Sequence, residues 1–168
     1  MKLKWVEEEV PKNIEVRQVY AVVFNTEGKV LLKVENKNGG KHYSLAGGTP
    51  EPFDKNRIET LKREYLEEVN TTLKEPIYYL GYQYVDEENG IVPYAQIRMT
   101  AMIDKIGIKK PDPDKGVIYD RVLVEPKKAI ELLNWGDIGE KIITKAVKTA
   151  EEKFELTFLN LKKDVEYV

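Results

Sequence analysis

The sequence predicts an α+β fold, a sandwich with helices on both sides of a mixed sheet. Three observations predict it. Segments dense in β-branched and aromatic residues recur up to residue 103, one amphipathic helical pattern interrupts them near Ile58 to Val69, and two more helical patterns follow near the end. The 168 residues, 42% hydrophobic and 33% charged, fit one domain spanning 1–168, with 155–168 as a C-terminal tail.

Residues 16–24 read as a strand, Asn25-Thr26-Glu27-Gly28 as a hairpin turn and residues 29–34 as the return. Asn36-Lys37-Asn38-Gly39-Gly40 reads as a mobile loop, and residues 41–45 as a strand running into the double glycine Gly47-Gly48. In the first helix Ile58, Leu61, Tyr65 and Val69 form an apolar stripe. Residues 76–85 and 92–103 then read as two long strands joined by Asp86-Glu87-Glu88-Asn89-Gly90. A loop at 111–116, a short strand at 119–124 and a helix at 126–133 follow. The last helix, 137–154, carries Ile138, Ile142, Ala146 and Ala150 as its stripe. The tail holds Leu156, Phe158, Leu159 and Leu161, too apolar for solvent, and is expected to pack on the domain or on a second subunit. With Trp5 and Trp135 it is interface material for a possible homodimer.

The first helix also carries chemistry. Glu64, Glu67 and Glu68 fall within a sector of roughly 100°, apart from the apolar stripe. Like charges at such spacing cost stability unless something neutralises them, and a hard divalent cation with oxygen ligands fits that need. The pattern therefore suggests a magnesium or manganese site. Arg-Glu-x-x-Glu-Glu alone is common on solvated helices; here a strand and a double glycine precede it in order.

The run from Ala46 to Thr71 resembles the signature of the Nudix hydrolase family: a glycine, a spaced acidic residue, then Arg-Glu-apolar-x-Glu-Glu-x-Gly. Gly47-Gly48, Arg63, Glu64, Glu67 and Glu68 match it, with Tyr65 at the apolar position and Glu51 at a loop position that is often acidic. Three departures stand out. The interval from Gly48 to Arg63 is one residue longer, with the extra residue expected within 49–54; Asp54 stands near the acidic position; and Asn70 replaces the closing glycine. Asparagine is the next-best residue for a left-handed helix end.

The resemblance implies a Nudix-like α/β/α sandwich and a metal-dependent pyrophosphohydrolase that cleaves a nucleoside diphosphate linked to another moiety. It implies Mg2+ or Mn2+ held by the Gly47 carbonyl, Glu64, Glu67 and Glu68, with Arg63 orienting a neighbouring carboxylate. Glu67 is the expected proton acceptor, with Asp86, Glu87 and Glu88 as alternatives. Tyr94, Gln96, Arg98 and Thr100 share one strand face, from which Arg98 and Gln96, together with Glu51, are the expected substrate contacts. Tyr78, Tyr82 and Tyr84 are expected to share a face, packed in the core or stacking a base. The proline associated with ADP-ribose hydrolases and the arginine-rich segment of coenzyme A hydrolases are missing, which leaves a nucleoside triphosphate or a nucleotide sugar open. The alternative is a non-catalytic Nudix-like regulatory domain that binds a nucleotide or a protein. An isopentenyl diphosphate isomerase on this fold is disfavoured, because that chemistry uses a thiol.

Composition removes other classes. Lys plus Arg number 27 against 29 Asp plus Glu, and a net charge of −2 does not gather polymeric nucleic acid or an anionic membrane. No cysteine is present, which excludes disulfides, thiol nucleophiles and thiolate metal sites and fits a cytoplasmic protein. The lone serine and histidine, Ser44 and His42, are strand neighbours about 7 Å apart, which disfavours a serine triad.

Overall fold

The computed structural model describes residues 1–168. Its strands are β1 (Lys2–Val6), β2 (Glu15–Phe24), β3 (Val30–Lys37), β4 (Gly40–Ser44), β5 (Gly47–Gly48), β6 (Thr71–Asp86), β7 (Tyr94–Ile106), β8 (Asp120–Val124) and β9 (Glu166–Tyr167). The helices are α1 (Arg57–Val69), α2 (Pro126–Leu133) and α3 (Gly136–Lys153). The sheet runs β1-β6-β7-β2-β3-β8-β9, and β2 with β7 is its parallel pair. Residues 16–24 and 126–133 fall where the sequence patterns put them. No helix is long and apolar enough to cross a membrane.

Strand alternation divides the core in two. On β2 and β7, Val19, Ala21, Val23, Ala95, Ile97, Met99 and Ala101 pack with Leu61, Tyr65 and Val69 of α1. Val22 and Phe24, with Leu32 and Val34 of β3, face Ala129 and Leu133 of α2 and Ile142, Ile143, Ala146 and Ala150 of α3. Each fully buried Val, Leu, Ile or Phe side chain among these stabilises the fold by about 1.5–3 kcal/mol before chain entropy is counted. The α+β sandwich with helices on both sides of a mixed sheet is what the pattern predicts.

Strands β2 and β3 meet only at Phe24 and Val30 and then splay apart. The gap is filled by β4 on β3 and β5 on β2, with Gly47 opposite Tyr20 and Gly48 opposite Val19. Between them Leu45 is buried in the α3-side cluster and Ala46 in the α1-side cluster, which fixes the double glycine at the centre of the sheet.

Several expectations need correction. Residues 36–40 are not a mobile loop: Lys37 pairs with Gly40, and Asn38 and Gly39 both take positive φ, 49° and 74°, as a two-residue hairpin turn requires. Tyr78 does not share a face with Tyr82 and Tyr84. The ladder with β7 slips between Tyr79 and Gly81, and this bulge reverses the alternation. Tyr82 and Tyr84 therefore join the α1-side core, while Tyr78 meets Phe154 beyond α3, ring centroids 5.6 Å apart. The N-terminal strand β1 has no counterpart among the expected elements; it pairs antiparallel with the β6 edge. The tail folds back on the domain, with Phe158 edge-on to Phe24 at 5.5 Å and β9 paired to β8.

Candidate active site

Helix α1 carries most of the site. Asn56 caps its start by accepting the Glu59 amide at 3.0 Å, and Asn70 ends it in the left-handed conformation, φ 43° and ψ 50°. The asparagine at the family's glycine position thus takes the conformation expected of it. Tyr65, fully buried, donates its hydroxyl to the Ala21 carbonyl at 2.8 Å and locks the helix to β2. That places Glu64 and Glu68 beside the double glycine. A Cβ on Gly48 would lie 2.4 Å from the Glu64 carboxyl carbon, and one on Gly47, at φ 148°, would lie 2.1 Å from the Val19 carbonyl oxygen.

Arg63 organises the carboxylates. Its Nε and Nη2 donate to the two oxygens of Asp54 at 3.0 and 2.9 Å, its Nη1 donates to Glu64 at 3.0 Å and to Glu67 at 3.2 Å, and Nη2 also reaches the Thr49 carbonyl. Asp54 further accepts from the Thr60 hydroxyl and the Glu51 amide, each at 2.9 Å. Asp54 therefore serves as the acidic partner of the signature arginine, and that arginine holds its carboxyl well below the usual carboxylate range. Burial instead pushes Glu64 up to about 6, against the pull of Arg63, and burial also raises Glu67.

Glu68 is the most enclosed of the three glutamates. Its Oε1 accepts the Gly47 amide at 2.9 Å, and its Oε2 accepts Lys33 Nζ from β3. Lys33 also lies over the Tyr119 ring, 4.6 Å from its centroid. With oxygens committed to Arg63 and Lys33, no three carboxylates converge closely enough to hold an ion as they stand. The donor types nonetheless fit a hard divalent cation: carboxylates and a backbone carbonyl, grouped on one helix face beside a close-packed glycine.

The opposite face of the sheet holds a cavity of about 530 Å³ lined by Tyr20, Gln83, Gln96, Arg98, Trp135 and Ile138, among others. Arg98 is only 3% exposed and has no carboxylate partner. Its Nη2 donates to Gln83 and Gln96 at 3.1 and 3.2 Å, its Nε has no partner, and its guanidinium lies 4.7 Å from the Tyr20 ring and 5.5 Å from that of Trp135. Burial pushes its pKa down to about 10. Tyr20 stacks on this arginine while its backbone pairs with Gly47, so one residue borders both regions.

The structure thus groups Gly47, Arg63, Glu64, Glu67 and Glu68 on one face and Gln96 with Arg98 on the other. Glu51 joins neither group; it is exposed, in a turn closed by Asp54. The acidic turn is engaged elsewhere: Glu88 with the N-terminus and Lys2, Glu87 with Tyr94 and Asn89. Two features escaped the sequence reading. Asp112 and Asp114, in the loop between β7 and β8, act electrostatically on Glu67. Lys33 was legible as a charge inside the apolar run Val30-Leu31-Leu32-Lys33-Val34.

The family profile of the NUDIX domain matches residues 15–145. The chain belongs to the Nudix family. It is a hydrolase acting on phosphoanhydride bonds. Among solved structures, this Nudix chain is similar to a pyrophosphohydrolase of Bacillus subtilis, BsRppH, at 20% identity and a TM-score of 0.65, covering 88% of this chain and 90% of that one. It is also similar to a Nudix hydrolase from Nitrosomonas europaea at 16% identity and TM-score 0.58, covering 89% and 97%. An Ap4A hydrolase of C. elegans follows at 18% and 0.52, covering 79% and 96%. At these identities the likeness is one of fold. No curated protein matches the sequence.

Proposed function

We propose that this Nudix protein is a metal-dependent pyrophosphohydrolase of the cytoplasm, acting as one domain on a small nucleoside diphosphate linked to another moiety. The observation that carries the reading is the packing of α1 on the double glycine, which leaves Glu64, Glu67 and Glu68 on one face with Arg63 across three carboxylates. Similar folds named as a pyrophosphohydrolase and an Ap4A hydrolase are consistent with it.

Glu64, Glu67, Glu68 and the Gly47 carbonyl would hold Mg2+ or Mn2+. Bound there, the ion supplies charge neutralisation for the diphosphate oxygens and acidifies the attacking water. Arg63 fixes Glu64 and Glu67 in place through Nη1. Glu67 accepts Arg63 through Oε2, so Oε1 is the oxygen left both to meet the ion and, with its other lone pair, to take the proton. Across the sheet, Arg98 and Gln96 bind the nucleoside-bearing half, between the Tyr20 and Trp135 rings.

The test is product release from a panel of nucleotides and nucleotide conjugates with Mg2+ or Mn2+. Turnover of one compound that collapses in Glu67→Gln and Glu68→Gln is the expected result. If no compound turns over while a nucleotide still raises the melting temperature, the protein is a binding domain and the hydrolytic reading is wrong.

A further inference from the structure

We infer that Lys33 is a built-in competitor for the metal: its ammonium holds the Glu68 oxygen that a divalent cation needs, and so sets how tightly the site binds one. The inference rests on the reading of Glu68 as a metal ligand.

Lys33 follows Leu31 by two residues on β3, so its side chain leaves the sheet on the α1 side, where Leu31 packs in the core. A lysine there is costly to bury unless it is paired. It is paired with Glu68, and both side chains are enclosed, 12% and 3% exposed. The other Glu68 oxygen is already committed to the Gly47 amide. A cation ligated through Glu68 must therefore share Oε2 with the Lys33 ammonium, whose like charge repels it, or share Oε1 with the backbone amide. The backbone is fixed by the β2–β5 pairing, whereas Lys33 has four rotatable side-chain bonds and the Tyr119 ring face to retreat along. Lys33 is the partner that yields.

The competition has two consequences with opposite signs. Without a cation the lysine stabilises the fold, because it keeps Glu68 from being a buried charge without a counter-ion. With one present, it weakens binding. A variant without the ammonium should melt at a lower temperature alone and gain more from the metal.

The experiment uses the full chain and Mn2+ alone, without substrate, following free Mn2+ by electron paramagnetic resonance and the melting temperature with and without the ion. Lys33→Met is expected to bind Mn2+ about tenfold more tightly than wild type, to melt lower without it and to show a larger Mn2+-induced rise. Lys33→Arg, which keeps the charge, should stay near wild type. Lys33→Gln carries the expectation of the methionine variant if that variant does not fold. Glu68→Gln should bind Mn2+ weakly, and adding Lys33→Met to it should restore nothing. Unchanged or weaker Mn2+ binding by Lys33→Met, beside a weakened Glu68→Gln, overturns the lysine inference alone. Wild-type Mn2+ binding by Glu68→Gln overturns the metal assignment of Glu68 and the inference with it.

Discussion

Replacing Asp54 by asparagine should destabilise the protein in a way that diminishes with acid. Asp54 is 6% exposed and binds Arg63 through both oxygens, while its Oδ2 also takes the Thr60 hydroxyl and the Glu51 amide. Asparagine keeps the shape but turns one acceptor into a donor, so Arg63 or the Thr60–Glu51 pair must face another N–H. Breaking a buried ion pair outright costs about 3–5 kcal/mol. Arg63, 17% exposed, keeps Glu64 and Glu67, which lowers the expected loss to about 2–3 kcal/mol, or about 4–12 °C in melting temperature for a domain of this size. The pH dependence follows from Arg63 holding the folded-state carboxyl below its ordinary value of 3.8. The unfolded chain then binds the proton first as pH falls, so the stabilisation is complete well above 3.8 and shrinks below it. By pH 3 about 1 kcal/mol of the gap between wild type and Asp54→Asn should be gone. Urea melts of both proteins at pH 6 and pH 3 measure it. A gap below about 0.5 kcal/mol at pH 6, or one that does not narrow at pH 3, would refute the reasoning.

Further expectations follow from the same geometry. Gly48→Ala puts a methyl group 2.4 Å from the Glu64 carboxyl carbon, so hydrolysis should fall at least about tenfold while the melting temperature moves little, because a flexible side chain end gives way; unchanged turnover would remove Glu64 from the chemistry. Mn2+ binding should weaken as pH drops through about 6, where Glu64 takes up its proton, and the proton released on binding can be counted by calorimetry at pH 5.5 and 7.5. Truncation after Glu152 removes Phe158 from Phe24 and β9 from β8, and should cost more than about 3 kcal/mol in a denaturant melt. Arg98→Met should raise KM more than it lowers kcat, since Arg98 lines the cavity on the face opposite the glutamates; a loss confined to kcat would contradict that placement.

Legibility in the sequence followed the range of the forces involved. Helix α1, its glutamate face and its asparagine end are local: the 3.6-residue period and the tolerance of asparagine for positive φ are written within the 13 residues of the helix and the one that follows. The Asn38-Gly39 turn was equally local, and reading it as a loop missed a standard hairpin signal. The reversal of Tyr78 against Tyr82 was not local in the same sense. A bulge depends on how β6 pairs with β7, and Gly81 is only a hint of it. Likewise, Asp112 and Asp114 act electrostatically on Glu67 only once the chain between β7 and β8 has folded, which no local pattern in α1 announces. That Asp54 and not Glu51 pairs with Arg63 is a choice between two nearby acids that the signature alone does not make.

Three enclosed arginines show how partner inventory separates structure from function on one sheet. Arg121 spends its donors on carbonyls: those of Val69 at the end of α1, Gly107 after β7 and Val168 in the tail. It ties three segments together and has no acidic side chain to orient. Arg63 spends its donors on Asp54, Glu64 and Glu67, so its charge is consumed in fixing acids that would otherwise repel one another. Arg98 is held by two amide side chains, the Gln96 and Ile97 carbonyls and two aromatic rings, none of which carries a negative charge, and its Nε is unpaired. A guanidinium buried without a counter-charge costs stability, and a fold that retains one keeps a charge free for an arriving group. Tyr20 lies between that charge and the glutamate site, because it stacks on Arg98 and pairs with Gly47. On the proposed reading, a substrate that reaches Arg98 at one end has its diphosphate brought to the glutamates at the other.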